Sequence, residues 1–179
     1  SVIKGGGFAL RFKLTLAAVA WLAVTPTHSA HIVQSDDPSA LTVQVGQLLV
    51  AGRGADARAQ TDTFAGIVGM DGSAMFTAVT RDAARRRQES GQGDAAIAAL
   101  GEAIKTEPQA HDLLYARAAA YLHQNNTAAA EADLAGIEAL AAGNPSLTAE
   151  ACVQRVLLGL GAERGMQLCE LAIATDPNP

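Results

Sequence analysis

The feature that most constrains the fold is a spaced recurrence in the second half of the chain. Ala96, Leu100 and Ala103 are followed 34 residues later by Ala130, Leu134 and Ile137, and 35 residues beyond those by Gly165, Cys169 and Ala172. A period of this size marks a unit too small to bury its own apolar face, stacked on copies of itself into one continuous core. Within residues 91–108, GQGDAAIAALGEAIKTEP, the residues Ala96, Ile97, Leu100, Ala103 and Ile104 recur at helical spacing on one face. Gly91 and Gly93 make the turn before this helix, Asp94 is placed to cap it, and Pro108 stops it. The one-residue slip between copies falls in the loop at residues 141–145, AAGNP.

Residues 91–108 resemble the second helix of a tetratricopeptide repeat, including its acidic-proline ending Glu107-Pro108, which returns at Asp176-Pro177. Residues 111–124, HDLLYARAAAYLHQ, resemble a first helix of that family. Leu114, Arg117, Ala118 and Tyr121 stand where the family packs a large, a large, a small and an aromatic residue. There are departures. The first copy, with Thr80, Ala83, Ala84 and Arg87, keeps only the small residue; Ile137 replaces a small residue; Gly165 stands where alanine is usual.

The resemblance covers about 100 of the 179 residues and implies an all-α fold, a right-handed superhelical solenoid of antiparallel helix pairs. The array is expected over residues 77–179, in copies at about 77–110, 111–145 and 146–179. Residues 31–76 read as a linker plus a degenerate helical hairpin or N-terminal cap. There Leu41, Val45, Leu48 and Leu49 have helical spacing, Gly52-Arg53-Gly54 makes a turn, and Asp71-Gly72-Ser73 reads as another. An aromatic content of 4% and abundant alanine suit closely packed helices. The alternative is an alanine-rich bundle with accidental spacing.

Residues 1–30 have the order of a secretory signal peptide: Lys4, Arg11 and Lys13, then an apolar run at residues 14–24 too short to span a bilayer, then Pro26 and the small residues Ser29 and Ala30. His28 is large for its place before a cut after Ala30; a cut after Ser29 fits equally, and an uncleaved anchor or a misplaced start are the other readings. Export places the protein in the periplasm or outside the cell, with membrane contact only through this segment. Without residues 1–30, which carry three basic and no acidic side chains, the 13 basic and 18 acidic residues become 10 and 18, a net charge of −8. That balance argues against a nucleic-acid partner.

Motifs for chemistry are missing from the sequence. There is no G-x-S-x-G, H-E-x-x-H or Walker loop. The turns Gly52/Gly54, Gly91/Gly93 and Gly159/Gly161 follow helical patterns, whereas a dinucleotide loop needs a strand before its first glycine. His111 and His123 are twelve residues apart, too far along one helix to share a metal at about 1.5 Å of rise per residue. No metal, no cofactor and no catalytic residue is expected. Asn125-Asn126-Thr127 is a glycosylation sequon that also reads as an inter-repeat turn.

The resemblance implies a protein- or peptide-binding scaffold, not an enzyme, whose concave wall is made of first helices. Its register puts Arg81, Arg85, Gln88, Tyr115, Leu122, His123, Glu150 and Gln154 on that wall, with Tyr115 as the expected anchor. The carboxylate clamp of chaperone-binding members is not matched: after Arg81 and Arg85 the corresponding places hold Asp112, Ala116, Leu147 and Ala151. The run Arg81, Arg85, Arg86, Arg87 reads either as a solvated face or, through Arg81 and Arg85, as an attraction for an acidic partner; Arg87 falls on the packing side and should snorkel. Cys152 and Cys169 fall at facing packing positions, either as a disulfide or as two buried thiols.

A repeat array needs a polar cap on its last unit. This sequence stops at repeat punctuation after an apolar last pair, so the expectation is a fragment of a longer repeat protein, or a homo-oligomer covering the uncapped C-terminal end. Leu158, Leu160, Leu168 and Leu171 are expected to form the exposed patch. For the export reading, N-terminal sequencing of the protein made in its own host should begin near Ala30 or His31; an intact N-terminus in the cytosol would refute it.

Overall fold

The structure, a computed structural model, describes residues 37–176. The expected signal segment and cut site, and Pro177, lie outside the described residues. The described part is all-helical: α1 (Pro38–Val50), α2 (Gly54–Val68), α3 (Gly72–Glu89), α4 (Gly93–Thr106), α5 (His111–His123), α6 (Thr127–Ala141), α7 (Pro145–Leu157) and α8 (Ala162–Thr175). Three- or four-residue loops fold each helix back on its predecessor. None of these helices is long and apolar enough to cross a membrane.

Local chemistry fixes the helix ends. Asp37, Asp71, Asn126 and Asn144 each accept from an exposed N–H of the first turn, with Pro38 and Pro145 at the first helical position after two of them. Asp71-Gly72-Ser73 is thus a cap and the start of α3, not a separate turn, and α3 begins five residues before Thr77. Asp94 does not cap α4 either. It lies in the first turn and accepts from Gln124 Nε2 at 2.8 Å, which ties the start of α4 to the end of α5. The three Gly-x-Gly turns all fall between helices, with Gly52, Gly91, Gly159 and Gly161 at positive φ.

The recurring positions fall on α4, α6 and α8. Ala96, Leu100, Ala103, Ala130, Leu134, Ile137, Gly165 and Ala172 are buried, and Cys169 is half-buried. The core has two parts. The first runs from Leu41, Val45 and Leu49 of α1 through Phe76 of α3 and Leu100 of α4 to Leu113 of α5. The second runs from Leu114 of α5 through Leu134 and Ile137 of α6 to Cys152 of α7 and Leu168 of α8. Helix α5 contributes to both.

Ion pairs stitch the helices at the edges of the alanine contacts. Arg117 of α5 grips Asp133 of α6 with two hydrogen bonds of 2.9 and 2.6 Å. Arg58 of α2 pairs with Glu107 after α4, which also accepts from Ser73 of α3. Arg155 of α7 is 6% exposed and donates to Glu138 and Glu131 of α6, while Arg164 of α8 holds the other oxygen of Glu138. Arg87 is half-buried, lies over Gly46 of α1 and donates to the Ala83 carbonyl.

The last pair does expose apolar surface, and of the four residues expected there Leu171 alone belongs to it. Leu160 and Leu168 are buried in the second core and Leu158 is half-buried. The exposed set is Val153, Val156, Leu157, Met166, Leu171 and Ile173. Leu160 and Leu168 close the core of the last pair instead of forming its outer surface.

Burial works against the charge on Glu138, but the hydrogen bonds from Arg164 and Arg155 outweigh it and hold its pKa below the ordinary value. A folded-state pKa below the unfolded one gives stability that is complete above the usual carboxylate range and lost as pH falls through the lowered value. Urea midpoints should therefore drop on acidification below about pH 4.5, and less steeply in Glu138→Gln. Arg155→Ala should cost about 3 kcal/mol in urea unfolding, near the low end for a broken buried pair because Glu138 keeps Arg164 and Glu131 reaches water.

Candidate partner-binding furrow

Helices α3 and α5 lie against each other as the leading helices of successive pairs. Small side chains where they face one another leave a furrow between their rims. Three adjoining cavities follow it. The first, about 360 Å³, lies at the helix starts between Thr77, Ala78, Arg81, His111 and Asp112. The second, about 430 Å³, is floored by Ala78, Ala84, Ala116 and Ala119 and edged by Arg81, Arg85 and Gln88. The third, about 580 Å³, continues past Arg85, Gln88 and Ala120 to His123 and Gln124. Arg81 is shared by the first two cavities, and Arg85 and Gln88 by the last two, so the furrow runs the length of α3.

The arginines are unequal. Arg85 is held on both sides, by Asp82 at 2.5 Å and Glu89 at 2.6 Å. Arg86 joins Asp82 at 2.8 Å. Partial burial raises the Asp82 pKa, but the bonds from Arg85 and Arg86 outweigh it and hold the group below its ordinary value. Arg81 has a single contact, to Asp112 at 3.4 Å, and its side chain is half in solvent. It is the more available cation of the two. Gln88 contributes an enclosed Nε2 that finds no acceptor among the described residues, although it lies between the second and third cavities. Such a donor carries an unmet desolvation cost until something accepts from it.

Of the residues expected on the wall, Arg81, Arg85, Gln88 and His123 are brought together here. Glu150 and Gln154 are on α7 and line none of these three cavities, although Glu150 reaches His111 at the start of α5. Leu122 is half-buried against the second core. Tyr115 is a correction: it is 7% exposed and belongs to the second core. In α5 the adjacent positions 113, 114 and 115 are all buried, because the helix has packed neighbours on more than one side. Burial, then the nearby charges of Glu150, Asp112 and Glu138, push the Tyr115 phenol upward, so it stays neutral. Its hydroxyl finds no partner among the described residues.

Sequence reading also missed a cluster. His111, Asp112 and Glu150 bring one ligand atom each within 4.8 Å of one another, joining the start of α5 to α7. His111 and Glu150 are 39 positions apart, so no local spacing could have paired them. Cys152 on α7 and Cys169 on α8 form a disulfide, with Cα atoms 5.2 Å apart.

No family model, no curated protein and no solved structure matches this chain. The reading of the furrow therefore rests on its own geometry.

Two outcomes follow. Tyr115→Ala should lower stability by about 3–5 kcal/mol, the range for emptying a large aromatic site in a core, so its effect on binding cannot be read separately from unfolding. Replacing both cysteines with alanine should lower stability by about 3 kcal/mol by the loop-closure estimate for a short loop. Two alkylatable thiols in the native protein under non-reducing conditions would refute the bridge.

Proposed function

We propose that this chain is a non-catalytic interaction scaffold of tetratricopeptide type, exported to the periplasm or cell exterior, that takes a peptide or helix of a protein partner along the α3–α5 furrow. The observation that carries this reading is the furrow itself: a continuous alanine-floored channel along two leading helices, with an unsatisfied Gln88 donor and the underused charge of Arg81 on its edge. An extended segment offers a backbone carbonyl to Gln88 and an acidic side chain to Arg81. The alanine floor fits a segment with small or narrow side chains. The 34-residue period, with its buried positions on α4, α6 and α8, supports the family reading. On that reading the pairs wind as a right-handed solenoid with α3, α5 and α7 inside. The disulfide pair and the order of residues 1–30 support export. No nucleic acid, cofactor or reaction enters this function.

A second reading is favoured by one observation. The exposed Val153, Val156, Leu157, Met166 and Ile173 suit an array whose α7–α8 face is covered, either by further repeats of a longer protein or by another copy in a homo-oligomer.

The furrow is tested with the mature chain as bait in its native extract, beside a variant carrying Arg81→Glu and Ala119→Trp. Circular dichroism should show both folded. Partners captured through the furrow should fall more than tenfold in the variant, by quantitative mass spectrometry. Equal capture by both baits would move the binding face off α3 and α5.

A further inference from the structure

We propose that His111, Asp112 and Glu150 form a binding site for a divalent transition metal ion of the zinc type, clamping the start of α5 to α7. His111 Nε2 and Glu150 Oε2 are 3.4 Å apart and make no hydrogen bond. A charged hydrogen bond would draw such atoms to about 2.7–2.9 Å. Two ligands on a tetrahedral ion with bonds of about 2.0–2.1 Å stand about 3.3–3.4 Å apart, which is the separation found. An oxygen of Asp112 completes a triangle with no side longer than 4.8 Å, and a carboxylate rotation closes the remainder.

The donor set selects the ion. One imidazole nitrogen with two carboxylates suits zinc, cobalt or nickel, whereas calcium requires six to eight oxygens. All three residues are half-buried. The cavity of about 360 Å³ lined by His111 and Asp112 leaves room for water in a fourth position.

A second observation points to the same place. Tyr115 is one turn along α5 from His111, and the two rings meet edge to face at 6.1 Å. The Tyr115 hydroxyl is enclosed and unpartnered, in a residue more than nine-tenths buried. A carboxylate drawn onto an ion, or the water completing its shell, supplies the acceptor that the hydroxyl lacks. Second-shell donors of this kind orient first-shell ligands. Arg81 opposes the ion, since its guanidinium holds Asp112 at 3.4 Å. The site is therefore one in which a cationic side chain and a metal compete for Asp112. The site shares Arg81 and the first cavity with the furrow but does not rest on the furrow's reading as a peptide channel, and its test needs no protein partner.

The full chain, free of any affinity tag, is titrated with zinc chloride by calorimetry and with cobalt chloride by visible absorption. One ion per chain is expected, with a cobalt spectrum of low coordination number and a raised melting temperature. Glu150→Gln and His111→Gln should each weaken binding at least tenfold while keeping the metal-free melting temperature. Tyr115→Phe should weaken it less, and Arg81→Gln should tighten it. Binding undiminished in Glu150→Gln, or retained in His111→Gln through the other histidines, would overturn the site. So would no binding of either ion, or binding of calcium in preference to zinc. If a substituted chain melts lower without metal, the Arg81→Gln arm still decides: unchanged or weaker affinity there counts against the competition for Asp112.

Discussion

Alanine at the helix crossings is the constraint on which the rest of this structure depends. Ala57, Ala96, Ala99, Ala103, Ala118 and Ala130 are fully buried between helices. A methyl group lets helix axes approach closely and loses no rotamer freedom on burial. It also removes little apolar area from water, so the hydrophobic gain falls to a few large side chains, Phe76, Leu100, Leu113, Leu134 and Ile137. The same residue type sets the site. Ala78, Ala116 and Ala119 are too small to fill the space between α3 and α5, and the furrow is what remains. Fold and furrow have one cause.

Close crossings bring long side chains within reach of the neighbouring helix. Most of the interhelical ion pairs here are made by arginine: Arg58, Arg81, Arg117, Arg155 and Arg164 each cross from one helix or loop to another. The planar fork grips a carboxylate with two parallel bonds, as Arg117 does on Asp133. Arg155 goes further, dividing its donors between two glutamates of α6. Helix α5 is where these forces meet. Leu113 enters one core and Leu114 the next, while Arg117 and Tyr121 stack beside the second, 6.0 Å from guanidinium to ring.

Much of the helical layout was legible in the sequence, because a 3.6-residue period reports which side of a helix is buried. It read the apolar faces of α4 and α5 and the glycine turns. It did not report how many sides are buried. Tyr115 lies off the stripe of Leu114, Ala118 and Tyr121, so it reads as a wall residue, yet α5 has neighbours enough to enclose it. Leu160 and Leu168 failed in the opposite sense, read as surplus when they close the last hairpin. Side-chain pairs across helices were out of reach for a simpler reason. His111 and Glu150 are separated by the whole of α6, and Arg155 and Glu131 by a helix turn-back between α6 and α7; their meeting depends on crossing angles that no local pattern encodes. Arg81 and Arg85 could be placed on the wall from their spacing of four; that Asp82 and Glu89 hold Arg85 while Arg81 stays loosely held required coordinates.

The exposed apolar residues gather at the two ends of the helix order. Among the described residues, every large exposed one lies on α1, α2, α7 or α8 or beside α2: Val43, Val50, Ile67, Val68 and Met70 at one end, Val153 to Ile173 at the other. Helices α3 to α6 have none, because each of those pairs is flanked on both sides. The two ends are not equivalent in charge. On α8, Glu163, Met166, Glu170 and Ile173 recur at helical spacing, so carboxylates alternate with the apolar side chains along one stripe. A two-fold antiparallel contact through that stripe would set Glu163 opposite Ile173 and Met166 opposite Glu170 of the other copy, burying carboxylates against apolar side chains with no partner for their charge, which is costly. A heterologous cover, in which a face carrying cationic side chains meets α8, would pair those carboxylates while burying the same Met166 and Ile173.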